Sequence, residues 1–399
     1  MNDNRNRPVI TGMGAVTPVG LTVSETWESL CSGTSGIRKI TLFDTSGLRN
    51  SRGGEIRGFT EDAERPRSLQ FLEKATGEAL SNGNILENSE ILEETGFALG
   101  TNFGCAESFS RYYTHRDKNP SVSTDALHQY PFGYYADTMR DEFGIKGECV
   151  AVSTACASGL AAVEAALQIL KYTDAESVIC AATDELTLYS YAGLCALHAV
   201  TKETIRPFAE SRAGTQFSEG AAVVLIEYED HARSRGISPL ARIEGIFLNN
   251  DAFHTTAPDT EAAGITNCME QVFKRSNVPK ENVTYVNSHG TGTKYNDVIE
   301  TRALKNVFGP HAHNLYIDSI KSMTGHEMGA AGLIELISTV MTLQTGTIPP
   351  TVNCSDPDPE CDLNYCTDGS ITADIECALT NSYGIGGANG SVLLSAFRE

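Results

Sequence analysis

The chain is poor in positive charge: 30 lysines and arginines stand against 51 aspartates and glutamates, a formal net charge of −21. Such a field repels a phosphate backbone at long range and offers nothing to an anionic membrane surface, so neither nucleic acid nor membrane is expected as a partner. Any acidic partner has to meet a local basic patch. A long apolar run is also missing. The most apolar stretch, GAAGLIELISTVMTL over 329–343, carries Glu335 and is too short to span a bilayer, so it reads as a buried helix. The opening MNDNRNRPVITGMG has no apolar core of the kind a signal peptide needs, and a cytoplasmic location is the expectation. The eleven cysteines include no CxxC pair. Their one local group, Cys354, Cys361, Cys366 and Cys377, is irregularly spaced with no histidine nearby, so no metal site is expected and the thiols read as reduced. A legible internal repeat and a Pro- or Ser-rich linker are absent as well.

What is present is globular: 399 residues, 41% apolar and 20% charged, enough for one large domain or two of ordinary size. Short β-rich runs alternate with helices of small residues. RPVITGMGAV (7–16), ETGFALGTNFG (94–104), SVICAAT (177–183), VTYVNSHGTGT (283–293) and LYIDSIKSMTGH (315–326) read as strands running into turns. CASGLAAVEAALQILK (156–171) and the run from Met328 read as helices, and CALTNSYGIGGANGSVLLSAF (377–397) as two strands joined by a glycine-rich loop. Such alternation predicts an α/β fold with covered sheets. A junction near 236–252 divides the chain into expected halves 1–245 and 246–399.

Within STACASG (153–159), Cys156 stands among residues too small to shield it. A strand ends just before it and a helix begins at or near it, so unpaired N–H groups and the helix dipole are expected to favour the thiolate. A small buried residue at a strand–helix junction fits the same placement. His289, in NSHGTGT, and His326, in KSMTGHEMGAAG, each follow a strand and lie among glycine, serine and threonine, at the strand ends where α/β active sites gather. His311 and His313 read as loop residues, and His115, His128, His198, His231 and His254 have no such setting. Lys321 lies five residues before His326. A lysine beside a buried histidine pair needs a carboxylate partner, which Glu300 or Asp297 could supply, unless it forms an ordinary surface ion pair. GIGGANG (384–390) is not followed by a P-loop lysine, but its backbone N–H groups suit a reacting centre.

Taken together, RPVITGMGAVTPVG, STACASG, NSHGTGT, KSMTGHEMGAAG and NSYGIGGANG resemble the β-ketoacyl-acyl carrier protein synthases, in their elongating Cys-His-His branch. The resemblance spans nearly the whole chain, including ETWESLCSGTSGI (25–37) and RPFAESRAG (206–214). It implies a thiolase-like fold, two similar βαβαβαββ halves in a five-layer α-β-α-β-α core, and decarboxylative Claisen condensation of an acyl-cysteine with malonyl-acyl carrier protein. No cofactor is bound permanently on this reading; substrates arrive on phosphopantetheine. Carried over by motif, Cys156 is the nucleophile, His289 and His326 assist decarboxylation, and Lys321 orders that site with Glu300 as its partner. Thr291 and Thr293 hydrogen-bond the pantetheine arm, and the N–H groups of Cys156 and Ile385 form the oxyanion hole.

Two positions depart from the housekeeping pattern. Ile385 stands where a phenylalanine is usual, and Phe103 is a bulky residue where the acyl pocket is lined. HGTGTKYND (289–297) leans toward the type II polyketide and polyene branch, with housekeeping fatty-acid elongation as the alternative. For docking an acidic acyl carrier protein, Arg65, Arg67, Arg116, Lys118 and Arg206 are the expected cations. The assembly is expected to be a homodimer, or a heterodimer with a chain-length-factor-like subunit on which activity could depend. A thiolase would have a second active-site cysteine near GIGGANG, and a Cys-His-Asn enzyme only one of the two histidines. A non-catalytic partner would lack the cysteine.

Overall fold

The β-branched and small residues of PVITGMGAV form the first strand, β1 (Pro8–Val16), buried everywhere after Pro8. The computed structural model describes residues 7–59, 62, 65–119 and 124–398. The chain continues through α1 (Arg67–Asn82), β2 (Gly96–Gly100), α2 (Ala106–Lys118), β3 (Cys149–Val152), α3 (Ser158–Tyr172), β4 (Ser177–Asp184), α4 (Leu188–Ala196) and β5 (Gly220–Tyr228). It then runs through β6 (Ala241–Asn250), α5 (Ala263–Ser276), β7 (Val283–Asn287), α6 (Asn296–Phe308), β8 (Tyr316–Asp318), α7 (Ala331–Thr345), β9 (Cys377–Gly384) and β10 (Ala388–Ala396).

These strands hydrogen-bond in the order β8-β7-β9-β10-β6-β1-β5-β4-β2-β3. Each set of five has the same spatial order, third-second-fourth-fifth-first, and the same senses: parallel among the first three and antiparallel in the last two pairs. The halves are therefore duplicates in topology although the sequence shows no repeat. A covered five-stranded unit demands an apolar pattern and fixed crossovers, and many sequences supply both. The sets meet where β1 and β6 pair through Val9–Arg242 and Ile10–Ala241, so one ladder runs across both.

Three hydrophobic clusters define the layers. In the middle, α3 and α7 pack between the two strand sets, with Leu160 and Val163 against Leu333 and Leu336. α1 covers the outer face of the first set through Leu69 and Leu72, and α5 and α6 cover the second through Met269 and Leu304. The result is the thiolase-like α-β-α-β-α stack. Gly159 shows why small residues follow the cysteine: a Cβ there would lie 2.7 Å from the Leu333 amide of α7. β3 lies at the end of the sheet, with β2 as its one partner among the described strands. Among the described residues, no helix is long and apolar enough to cross a membrane.

Candidate active site

Cys156 sits between the end of β3 and the start of α3, two residues before Ser158. The turn is held open by Ala155 in the left-handed region, φ +52°, unusual for a residue with a side chain. Ser158 locks it, its Oγ accepting from the Thr154 amide at 2.9 Å and donating to Ala155 O at 2.6 Å. The glycine loop between β9 and β10 closes over this turn. A Cβ on Gly384 would lie 3.0 Å from Thr154 O, and Ser382 Oγ donates to Cys156 O at 2.9 Å. The N–H groups of Ile385 and of Cys156 itself bear on the sulfur, and both favour its thiolate.

The thiol is nevertheless pushed up, to about 11, because burial outweighs these two N–H groups and the nearby Lys321 ammonium. The N–H groups at the helix start favour the thiolate, but burial opposes it more strongly. Cys156 is 5% exposed, and a desolvated sulfur holds its proton until something displaces it.

His289 follows β7 in a loop pinned by Glu300, whose two carboxylate oxygens accept from the His289 and Gly290 amides at 2.9 and 3.0 Å. Lys321 Nζ lies 3.2 Å from His289 Nδ1. An ammonium can only donate, so Nδ1 accepts and the ring proton rests on Nε2. His326 meets His289 edge-on at 5.3 Å between ring centroids and stacks on Phe217 at 5.3 Å. Its Nδ1 is buried without a hydrogen-bond partner among the described residues. Both imidazoles are held well below their ordinary value, chiefly by burial and then by the Lys321 charge, so both are neutral.

The partner of Lys321 is Glu335, not Glu300. Lys321 and Glu335 form an ion pair with both side chains fully buried. Glu300 is occupied by two backbone amides and Asp297 by those of Phe208 and Gly292. The sequence signal was available: a glutamate inside an otherwise apolar helix has to find a counter-charge.

Cys156, His289, His326, Thr291, Thr293 and Ile385 all line one cavity of about 420 Å³. Thr291 and Thr293 hydroxyls lie 3.0 Å apart. Phe103 does not line this cavity. It packs in the cluster that holds Phe217 and Met328, and its amide is tied to Asp184 Oδ1 at 2.9 Å. Asp184 also gathers the amides of Asn102 and Gly329, so Phe103 sits one layer behind the wall.

The expected docking cations divide. Arg67 is bound internally, to Glu219 at 2.6 Å and to Ile56 O at 3.1 Å, and Arg65 lies between Glu73 and Glu142. Arg206 pairs with Glu203 at 2.8 Å, whereas Arg116 and Lys118 are exposed on α2. The buried Glu219 carboxylate drew in Arg67, a demand no local sequence pattern displays. Among the further lining residues, His198 was set aside in the sequence, and Lys294 and Phe217 were not singled out. No cluster of metal-ligating side chains occurs among the described residues.

A thiol, two neutral imidazoles and two N–H groups around a buried cavity define a thioester-handling acyltransferase site on a thiolase-like fold. Residues 6–232 match the family model of the beta-ketoacyl synthase N-terminal domain, and 240–355 that of the C-terminal domain. The chain belongs to the β-ketoacyl-acyl carrier protein synthases, condensing acyltransferases. It is 34% identical to a 3-oxoacyl-(acyl-carrier-protein) synthase 2 of Synechocystis sp., over 97% of each chain. Among solved structures it is similar to a type II polyketide ketosynthase in complex with its acyl-carrier protein and bound to a hexaketide, with a TM-score of 0.93 and 26% identity over 98% of this chain and 100% of that one. It is equally similar to the ishigamide ketosynthase/chain length factor, with a TM-score of 0.93 and 27% identity over 99% and 100%.

Proposed function

We propose that the chain extends an acyl group by one malonyl unit in a type II polyketide or polyene pathway, with Cys156 as the acyl carrier. The observation that carries this reading is the convergence of Cys156, His289 and His326 on one cavity with two backbone N–H groups at the sulfur. Cys156 Sγ attacks the thioester carbonyl of an acyl carrier, a C–S bond forms, and the pantetheine thiol departs with the proton. Malonyl carrier then enters past Thr291 and Thr293. Its carboxylate carbon bond breaks, CO2 leaves, and negative charge gathers on the thioester oxygen. The Nε2–H of His289 and the ring of His326 stabilise that enolate where it develops. The carbanion forms a C–C bond with the acyl carbonyl, the oxyanion resting on the Cys156 and Ile385 amides, and the thiolate leaves. Lys321 and Glu335 act through His289, fixing its tautomer, and Glu300 holds its loop.

The polyketide or polyene assignment is supported by HGTGTKYND and by the two solved neighbours, whereas the Synechocystis relative supports housekeeping elongation. Ile385, 36% exposed at the cavity, leaves more room there than a phenylalanine ring would. We divide the chain into halves between β5 and β6, at 229–240, because the expected boundary at 245 would fall inside β6. A second subunit, a copy or a chain-length-factor-like partner, would complete the β3 edge. The packed pair α2 and α4 exposes Phe109, Tyr113, Leu188 and Tyr189. All eleven cysteines are free thiols, which supports a cytoplasmic location.

The test is intact-protein mass spectrometry after incubation with a panel of acyl carrier thioesters. Wild type should gain one acyl group and Cys156→Ala none, with condensation lost in that variant. An acyl adduct or full-rate condensation by Cys156→Ala would remove the nucleophile assignment.

A further inference from the structure

The mouth of the cavity carries two hydrogen-bond donors that the condensation chemistry leaves unused. His198, two residues after α4, and Lys294, two residues before α6, both line the cavity and are both exposed, whereas Cys156 on the same cavity is buried. His198 is held in the left-handed region at φ +57°, a conformation a side chain adopts when its surroundings impose it. Arg49 imposes the ring's state as well. Its Nη1 lies 3.1 Å from His198 Nδ1, and its Nε donates to Val200 O at 2.6 Å. A guanidinium can only donate, so Nδ1 accepts and Nε2 carries the proton, with a fixed positive charge behind the ring.

Lys294 is fixed at its backbone rather than at its tip. Arg212, a buried side chain, donates to Thr293 O and Lys294 O at 3.0 Å each. The ammonium has no ion pair among the described residues. The one carboxylate among the lining residues, Asp251, already accepts from Asn389 at 2.7 Å. On a chain of net charge −21, two donors at one cavity mouth, one a lysine and the other backed by the Arg49 guanidinium, are a local reversal of sign suited to an anion.

We infer that His198 and Lys294 bind the phosphate at the outer end of the pantetheine arm, with Arg49 as the positioning residue that sets the His198 tautomer. The inference rests on the function proposed above, because it is the thioester at Cys156 that places the other end of the arm at this mouth. The subsite selects arms that carry phosphate, and holds the carrier in the register that puts its thioester at the sulfur.

Loading of Cys156 from hexanoyl-phosphopantetheine and from hexanoyl-pantetheine, which lacks the phosphate, separates this contact from the rest. By intact-mass kinetics, wild type should load from the phosphorylated arm about tenfold more efficiently, the scale of a charge-assisted hydrogen bond. Lys294→Met and His198→Ala should each pull that ratio toward one. Arg49→Met should do the same, and Arg49→Lys should restore it, which a purely structural role for Arg49 would not predict. Lys171→Ala, a surface cation of α3, should leave the ratio as it is in wild type. Equal loading from both arms by wild type, or a ratio unchanged in Lys294→Met and His198→Ala, overturns the subsite while leaving the nucleophile intact. Failure of both arms to load Cys156 at all overturns the proposed function, and the subsite with it.

Discussion

Glu327 offers a stabilising substitution whose benefit depends on pH. It follows His326 in sequence, yet it does not line the cavity and packs beside Gly220, fully buried, with neither carboxyl oxygen hydrogen-bonded among the described residues. The neighbouring Thr324 hydroxyl donates instead to Gly325 O at 3.0 Å. Burial, partly offset by the Lys321 charge, pushes the Glu327 carboxyl from its ordinary 4.5 up to about 7. A folded value raised above the unfolded one means that the group's contribution is most favourable below pH 4.5 and is lost as pH rises through 7. At about 1.4 kcal/mol per pH unit, ionised Glu327 costs the fold about 3 kcal/mol. Glu327→Leu should therefore be more stable than wild type by about 3 kcal/mol at pH 8, and the pH-dependent part of that gain should vanish near pH 4.5. Urea denaturation of both proteins across that range reads the difference directly. An identical gain at both ends, or a wild type more stable at pH 8, would refute the reasoning.

Two further outcomes follow from the same interior. Glu335→Gln strands the Lys321 ammonium in a buried site and should cost about 3–5 kcal/mol in denaturation while slowing malonyl decarboxylation, because His289 loses its ordered donor. The paired change Lys321→Met with Glu335→Leu should recover stability but not decarboxylation, and recovery of both would show that the ion pair is merely structural. Because burial pushes the Cys156 thiol up to about 11, its alkylation by iodoacetamide, followed by peptide mapping, should keep accelerating between about pH 7 and 10. A plateau below about pH 8 would mean a resting thiolate, against the geometry described.

The residues legible in the sequence are those whose chemistry is carried by their immediate neighbours. Cys156, His289 and His326 each sit in a short run of small residues at a strand end, and that local setting announced them. Glu335 is different: its meaning comes from Lys321, fourteen positions away in sequence and on another element, and sequence alone made it only an argument against a membrane span. Arg67 was misplaced for the mirror reason, since Glu219 lies 152 residues away and draws it inward. Phe103 missed the cavity wall because Asp184 folds its loop back through two amides and the Thr101 hydroxyl. His198 was passed over because neither its left-handed backbone nor its bond to Arg49 leaves a mark in LCALHAVT. The strand pattern and the α/β class could be read from local periodicity, whereas the doubling of the fold appears only once the strand order is known.

The electrostatics of the pair of histidines decide what kind of help they can give. A carbanion formed from malonyl is quenched by any strong acid beside it, and an imidazolium is acid enough to quench it. In this site burial and the Lys321 charge both oppose protonation of His289 and His326, so each remains a neutral ring. A neutral ring can still donate one N–H to the enolate oxygen, which lowers the barrier without surrendering a proton to carbon. Lys321 thus acts twice on the proposed mechanism: its charge keeps the rings neutral, and its hydrogen bond to Nδ1 turns the His289 proton toward the cavity. That double action requires the ammonium to stay charged in a dry interior. The buried Glu335 carboxylate makes this possible, so the ion pair belongs to the chemistry and not only to the packing.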